Sequence, residues 1–407
     1  MTTLTAVLER SIPFHSTAGA APANALVNFS GHTVSLVALV AVRAGRRAVG
    51  VAFNSIGRFA QSGILRERMI PRLLAAPPQM LLDDSGRLDP AAVLACAMRD
   101  EKPGGHGDRA TAAAALELAC WDLNAKLDDE PAYASIARHF GRVPAESVPV
   151  YAAGGYYYPS SGSGSGSGSS SGSGSGSAAL ADELRSYLDL GYDAVKMKIG
   201  GVPMAEDLAR VETAIAILGD GGRVAVDANG RFDRATATAW AAALAPYGLR
   251  WYEEPGDPLD FDTNRAVTDC YGGAVATGEN LFSVPDVINL LRYGGMRAGR
   301  DIFQMDAGLS YGLTEYARMI EVLESHGFDR RFALPHGGHL INLHIVAGLG
   351  LGGCEAYPGV FQPFGGYSPG CALGAGRVAP TDAPGFGLEQ KPGLAEAIDE
   401  LTGQGCG

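Results

Sequence analysis

Three short apolar runs, VAVD, RWYE and AVATGE, each close on a carboxylate, and Asp227, Glu253 and Glu279 follow one another at intervals of 26 residues. Each interval has room for one strand, one crossover helix and their loops, because a whole βαβ crossover needs only about 10–12 residues or more. The spacing therefore predicts three successive parallel strands with one acidic residue at the end of each. Neighbouring strands lie about 4.8 Å apart, so three consecutive strand ends can converge on one hard divalent cation. An all-oxygen donor set of this kind suits Mg²⁺.

The same alternation runs through the rest of the chain from about residue 147. Candidate strands are VPVYAAGG, AVKMKIG, VAVDANG, RWYEEP, AVATGEN, IFQMDAG, FALPHGG and GCEAYP, separated by helix-like segments such as ATATAWAAALAPYG, VPDVINLLRYGG and LTEYARMIEVLESHG. Eight strands with crossovers of this length predict a (β/α)₈-type barrel. A single open doubly wound sheet is the alternative, weakened because no GxGxxG or Walker sequence follows the first strand.

Residues 1–145 read instead as α+β. HTVSLVALVAVRAG and RRAVGVAFNS are Val- and Ala-rich and predict paired strands, with helices around Ile64–Leu74, Pro90–Arg99 and Ala110–Leu127. The last carries apolar residues around more than one stripe, which predicts a well-buried helix. A nearly pure Gly/Ser tract, residues 160–177, follows the first barrel strand. Such composition buries no apolar area to offset ordering entropy and predicts a coil; we assign it no chemistry.

The formal charge of −12 argues against nucleic acid or an anionic membrane as a partner. It leaves a small anionic substrate open, since lysines and a bound cation invert the field locally. Six cysteines without CxxC spacing read as reduced thiols rather than a disulfide framework. The N-terminus lacks a secretory apolar stretch and no apolar run reaches the roughly 20 residues of a membrane span, so a cytoplasmic protein is expected.

Chemistry concentrates at the predicted strand ends. In AVKMKIG the strand period of two puts Lys196 and Lys198 on one face and Val195, Met197 and Ile199 on the other, so both lysines point into the barrel. A second ammonium and a cation beside Lys198 disfavour its charged form, lowering its pKa toward the range of a general base. Glu254 follows Glu253 directly, is expected to point the other way, and is the poorer ligand. Asn229 shares a face with Asp227 and is placed to contact substrate or metal-bound water. Asp306 and His336 end adjacent strands, where a carboxylate–imidazole hydrogen bond fixes the His tautomer and makes the pair an acid or base. His339 and His344 offer a competing metal reading, disfavoured because PHGGH lacks a helical HExxH pattern. Glu355 is a candidate orienting or substrate-binding carboxylate. A cation on three carboxylates, with a lysine and a histidine on different strands, suits abstraction of a proton alpha to a carboxylate.

Lys196-x-Lys198, Asp227-x-Asn229, Glu253-Glu254-Pro255, Gly278-Glu279-Asn280, Asp306 and His336 together resemble the mandelate racemase branch of the enolase superfamily. FNSIGRFAQSG, EKPGGHGDR, YAAGGYYYP, VKMKIGG, VDANGRF, WYEEPGDPLD, ATGENLF, RYGGMR, LSYGL and PHGGH, between about residues 24 and 370, resemble its tartrate-dehydrating members. The Gly/Ser tract departs from that pattern.

The resemblance implies a (β/α)₇β barrel over residues 146–371, and an α+β capping domain of residues 1–145 completed by about 372–407. It also implies Mg²⁺ on Asp227, Glu253 and Glu279, and removal of the C2 proton of D-tartrate by Lys198, with Lys196 supporting the enolate. His336, oriented by Asp306, protonates the departing C3 hydroxyl, and the enol becomes oxaloacetate. Asn24, Asn54 and Lys102 of the cap are the candidates for a distal carboxylate, because a dicarboxylate needs a cationic partner away from the metal. A homo-oligomer is implied as well. The competing expectations are a racemase or dehydratase of another sugar acid, and a non-catalytic metal-stabilised scaffold.

Overall fold

A computed structural model of the chain describes residues 1–16, 21–55, 60–158 and 175–403, and most of the Gly/Ser tract lies outside them. The N-terminal cap is a three-stranded antiparallel sheet of β1 (Thr2–Pro13), β2 (Thr33–Arg43) and β3 (Arg46–Phe53). The β2–β3 pair is the expected one. β1 was not legible as a strand: its polar residues interrupt the apolar run, and only pairing with β2 along its whole length defines it.

The helix Asp108–Leu127 packs across this sheet and is buried almost from end to end, which matches its many-sided apolar pattern. It approaches closely because Gly50 faces it: a Cβ there would stand 2.3 Å from the Ala119 carbonyl oxygen and from Leu123 Cβ. The first predicted helix forms as Gln61–Ile64 and Ile70–Leu74, joined by a π turn over Leu65–Met69.

The second layer is the barrel. β4 (Val148–Gly154), β5 (Val195–Lys198), β6 (Val224–Asp227), β7 (Trp251–Glu253), β8 (Val275–Thr277) and β9 (Ile302–Phe303) pair in parallel in chain order, and β10 (Cys354–Ala356) returns to β4. The seventh position, FALPHGG, forms no continuous strand. It is held by a parallel bridge between Phe303 and Ala333 and by hydrogen bonds from Leu334 N to Phe303 O (2.9 Å), His336 N to Gln304 O (3.2 Å) and Gly352 N to Ala333 O (3.1 Å). Pro335 has no N–H to give, which breaks a regular ladder at this point. Among the described residues, seven helices, from Ser175–Asp189 to Leu340–Leu349, cover the outside. The fold is thus an α/β barrel with an antiparallel-sheet cap, and the open doubly wound alternative is set aside.

Period-two alternation sorts the strands between two environments. Val195, Met197, Val224, Val226 and Tyr252 belong to the main core beneath the helices, whereas Tyr151, Ala194, Ala225, Trp251, Ala276, Ile302 and Leu334 form a separate apolar cluster of the opposite set. Lys196, Lys198, Asp227 and Glu253 share the phase of that second cluster, so a charged layer lies on an apolar floor inside the barrel.

The C-terminal boundary differs from expectation. β11 (Ala372–Gly374) and β12 (Arg377–Ala379) form a hairpin whose second strand pairs with β4, so residues 372–379 extend the barrel sheet. Beyond them the chain packs on the cap, where Phe386 N donates to Asp122 and the helix Pro392–Thr402 meets β1 and β2.

Candidate active site

Strand register assembles the first part of the site. Lys198 on β5 is level with Asp227 on β6, which is level with Glu253 on β7. Lys198 Nζ lies 2.5 Å from Asp227 Oδ2, and Lys196 Nζ lies 2.6 Å from Glu253 Oε1 and 2.8 Å from Glu355 Oε1. Glu253 also accepts from Trp251 Nε1 at 2.8 Å and Gln304 Nε2 at 2.6 Å. Glu279, just past β8, completes the expected triad: Asp227, Glu253 and Glu279 each offer a carboxylate oxygen, all within 4.8 Å of one another. Three oxygens at this separation on a partly buried wall fit a small hard cation.

Burial works against the Asp227 carboxylate, yet Lys198 and Lys196 hold its pKa down to about 2. Burial and the neighbouring Asp227 push Glu253 the other way, to about 8, against the pull of Lys196. Burial also opposes the Lys198 ammonium, but Asp227 raises its pKa above the ordinary lysine value. The expected lowering counted a bound cation; the protein groups alone give the opposite sign, because Asp227 acts on Lys198 more strongly than the Lys196 ammonium does, and Glu279 and Glu253 add to it.

The second part comes from the far side of the barrel. His336 Nδ1 lies 3.0 Å from Asp306 Oδ2, the expected pairing. Asp306 is fixed in turn by Gly308 N (2.7 Å) and Asn342 Nδ2 (3.2 Å). Burial disfavours the imidazolium, but Glu279 and the Asp306 hydrogen bond raise its pKa to about 9. His336 Nε2 is 3.0 Å from the Tyr357 hydroxyl, which donates to Glu355 Oε2 at 3.1 Å. The competing histidine cluster does not converge: His339 Nε2 meets Ser55 Oγ at 2.7 Å, and His344 Nδ1 accepts from Tyr133 N at 3.2 Å.

Lys198 and His336 border one cavity of about 180 Å³ between barrel and cap, with Asn229, Glu254, Glu279, Asn280, Tyr156 and Tyr357 from the barrel. The cap contributes a wall from Asn24 to His32, held in its turn by Asn24 Oδ1, which accepts from Leu26 N and Val27 N. Glu254 corrects the sequence reading. Its φ of 39° departs from strand geometry just past β7, so the rule of alternation no longer applies, and its side chain lines the cavity and accepts from Asn280 Nδ2 at 2.9 Å.

Of the three cap candidates only Asn24 lines the cavity. Asn54 is fully buried and its Oδ1 accepts from Ser35 N at 2.8 Å, inside the cap sheet. Lys102 is exposed and is not among the lining residues. Glu355 does not line the cavity either; it acts on Lys196, Gly337 N and Tyr357. Sequence reasoning missed Tyr156, Tyr357 and Gln304, although the tyrosines stood in the strand-end strings YAAGGYYYP and GCEAYP.

Relatives of known activity share this framework. Residues 179–393 match the family described as enolase C-terminal domain-like. The 3,6-anhydro-alpha-L-galactonate cycloisomerase of Streptomyces coelicolor is 29% identical over 296 residues, covering 70% of this chain and 71% of that enzyme. The L-talarate/galactarate dehydratase of Salmonella typhimurium is 30% identical over 157 residues, covering 39% of this chain and 38% of that enzyme's length. A Streptomyces coelicolor A3(2) racemase with bound magnesium superposes with a TM-score of 0.73 over 98% of this chain and 99% of its own, at 22% identity, a likeness of fold. With its capped barrel and more than half its length in the matching family, the chain belongs to the mandelate racemase/muconate lactonizing enzyme branch of the enolase superfamily.

Proposed function

We propose that the protein is a Mg²⁺-dependent dehydratase of a sugar or hydroxy acid. The observation that carries this reading is that Lys198 and the His336–Asp306 pair border the same cavity, with three carboxylates of the right separation beside them. Asp227, Glu253 and Glu279 would hold the cation, whose charge draws in the substrate carboxylate and favours loss of the neighbouring proton. Lys198 takes the C2 proton. Lys196, buried and paired with Glu253 and Glu355, faces the developing enolate charge without having to be brought in from solvent. His336 protonates the departing C3 hydroxyl through Nε2, since Asp306 holds Nδ1.

The naming of relatives as sugar-acid dehydratase, cycloisomerase and racemase supports the acid-sugar class more broadly than any one substrate. Within it, D-tartrate is the finer reading, supported by the string resemblance through most of the chain. A racemase of the same acids would use Lys198 and His336 on opposite faces of C2. Turnover of a panel containing D-, L- and meso-tartrate, galactarate, talarate, gluconate and arabinonate separates these readings. Release of a 2-keto acid supports dehydration, and an epimer as sole product would replace it with racemisation. No C2 exchange with any acid in the presence of Mg²⁺ would favour a non-catalytic scaffold.

A further inference from the structure

We propose that Tyr357 is a further catalytic residue, whose hydroxyl hydrogen-bonds the departing oxygen beside His336 and belongs to the C–O cleavage step only. This rests on the dehydratase reading above. Tyr357 follows β10, lines the cavity, and is otherwise buried. Its ring is held edge-on by Phe361, with centroids 4.8 Å apart, and its hydroxyl by Glu355 Oε2 at 3.1 Å. Glu355 is itself fixed by Lys196 Nζ and by Gly337 N at 2.9 Å. Together these contacts set the hydroxyl 3.0 Å from His336 Nε2.

Asp306 occupies Nδ1, so Nε2 is the nitrogen that can meet a substrate. Tyr357 lines the same cavity as His336, so an oxygen seated between Nε2 and the Tyr357 hydroxyl meets both. In the step, the electron pair left at C2 forms the C2=C3 bond and the C3–O bond breaks with its electrons on oxygen. The proton on Nε2 passes to that oxygen, and water leaves. Tyr357 shares its hydrogen with the same oxygen while charge accumulates there, then returns to Glu355. A donor placed where charge develops only in the second step accelerates that step and not the first. Lys198, on β5, carries out the first.

The experiment compares the full-length wild type with Tyr357→Phe in Mg²⁺, on the acid that the panel identifies. Three rates are measured: C2 hydrogen–deuterium exchange, keto-acid release, and fluoride release from the analogue bearing fluorine in place of the C3 hydroxyl. Fluoride departs without a full proton transfer. Keto-acid release and fluoride release are both expected to fall about 10- to 1000-fold, since charge collects on either leaving atom, while C2 exchange, which belongs to the first step, stays within about threefold. Equal keto-acid release in the two proteins overturns the proposal, as does a parallel fall in all three rates, which a packing role would produce. Should Tyr357→Phe fail to fold, Tyr357→Met removes the hydroxyl with similar bulk and is read the same way. If the wild type itself yields no keto acid, the dehydratase reading fails first.

Discussion

Lys198 Nζ stands 2.5 Å from Asp227 Oδ2, so the base proposed for C2 is hydrogen-bonded to a proposed metal ligand. One carboxylate links the two functions, and removing the lysine separates them. In Lys198→Ala, C2 exchange is expected to fall by about 10³ or more, the order that a positioned base supplies. Mg²⁺ affinity is expected to hold or tighten, since Asp227 loses a competing ammonium. Exchange is followed by NMR in D₂O and binding by calorimetry; exchange that persists in this variant would remove Lys198 as the base.

His336→Asn tests the other side of the cavity. The amide keeps a polar group of similar reach but cannot deliver a proton. Keto-acid formation is expected to drop by about 10²- to 10⁴-fold, while C2 exchange continues. A variant that instead loses Mg²⁺ would make His336 a ligand, a role that its contact with Asp306 disfavours.

What the sequence displayed and what it hid follow one physical line. Inside a strand the period of two is rigid, so Lys196, Lys198, Asp227 and Glu253 were legible as one inward-facing set, and the register then brought three of them level. Where the strand ends, that rule ends too. The positive φ of Glu254 and of Asn229 is set by turns beyond β7 and β6, and the former returned a carboxylate to the cavity that alternation had sent away. Pro335 interrupts the ladder of the seventh strand, a break that the proline within FALPHGG already signalled. Cap loops carry no period at all. Asn24 reached the cavity through its own turn hydrogen bonds, whereas Asn54 was taken up by β2 and Lys102 lies in the exposed stretch before the helix Asp108–Leu127.

The triad's metal dependence has a stability readout independent of turnover. Mg²⁺ that binds only the folded state at 100 times its Kd is expected to add about 2.7 kcal/mol, reversed by a chelator. Glu279→Gln removes one of three ligand charges and is expected to cancel most of that gain in a thermal-shift titration. Equal Mg²⁺ shifts in the variant and the wild type would place the cation elsewhere.

Glu117 joins cap to barrel. On the cap helix Asp108–Leu127 it is fully buried and accepts from Leu313 N, Thr314 N, Thr314 Oγ1 and Trp121 Nε1, at 2.5–2.9 Å. It therefore closes the N-terminus of the barrel helix Leu313–Ser325, where a carboxylate also favours the helix dipole. Glu117→Ala strands these donors in the interior and is expected to cost about 2–5 kcal/mol in urea unfolding. A loss below about 0.5 kcal/mol, the size of a neutral surface change, would rule out this coupling.

His344 supplies a pH dependence whose sign can be worked out. It lies on the helix Leu340–Leu349 against the cap, between Tyr133 and Phe386, and burial pushes its pKa down to about 3. In the unfolded chain a histidine takes up its proton below about 6.5. Between those values the unfolded state binds the extra proton, so stability is full above the upper value and falls as pH drops toward the lower one. The limiting slope for one proton is about 1.4 kcal/mol per pH unit. Other groups titrate in the same range, among them His339, with a pKa lowered by burial to about 4, and Asp122, raised by burial to about 6, so the variant difference is the quantity to read. His344→Asn is expected to start less stable at pH 7 and then lose less than the wild type on acidification to pH 4. Urea unfolding at pH 7, 6, 5 and 4 measures both curves, and curves that stay parallel would mean that His344 takes up its proton in the folded protein as readily as in the unfolded chain.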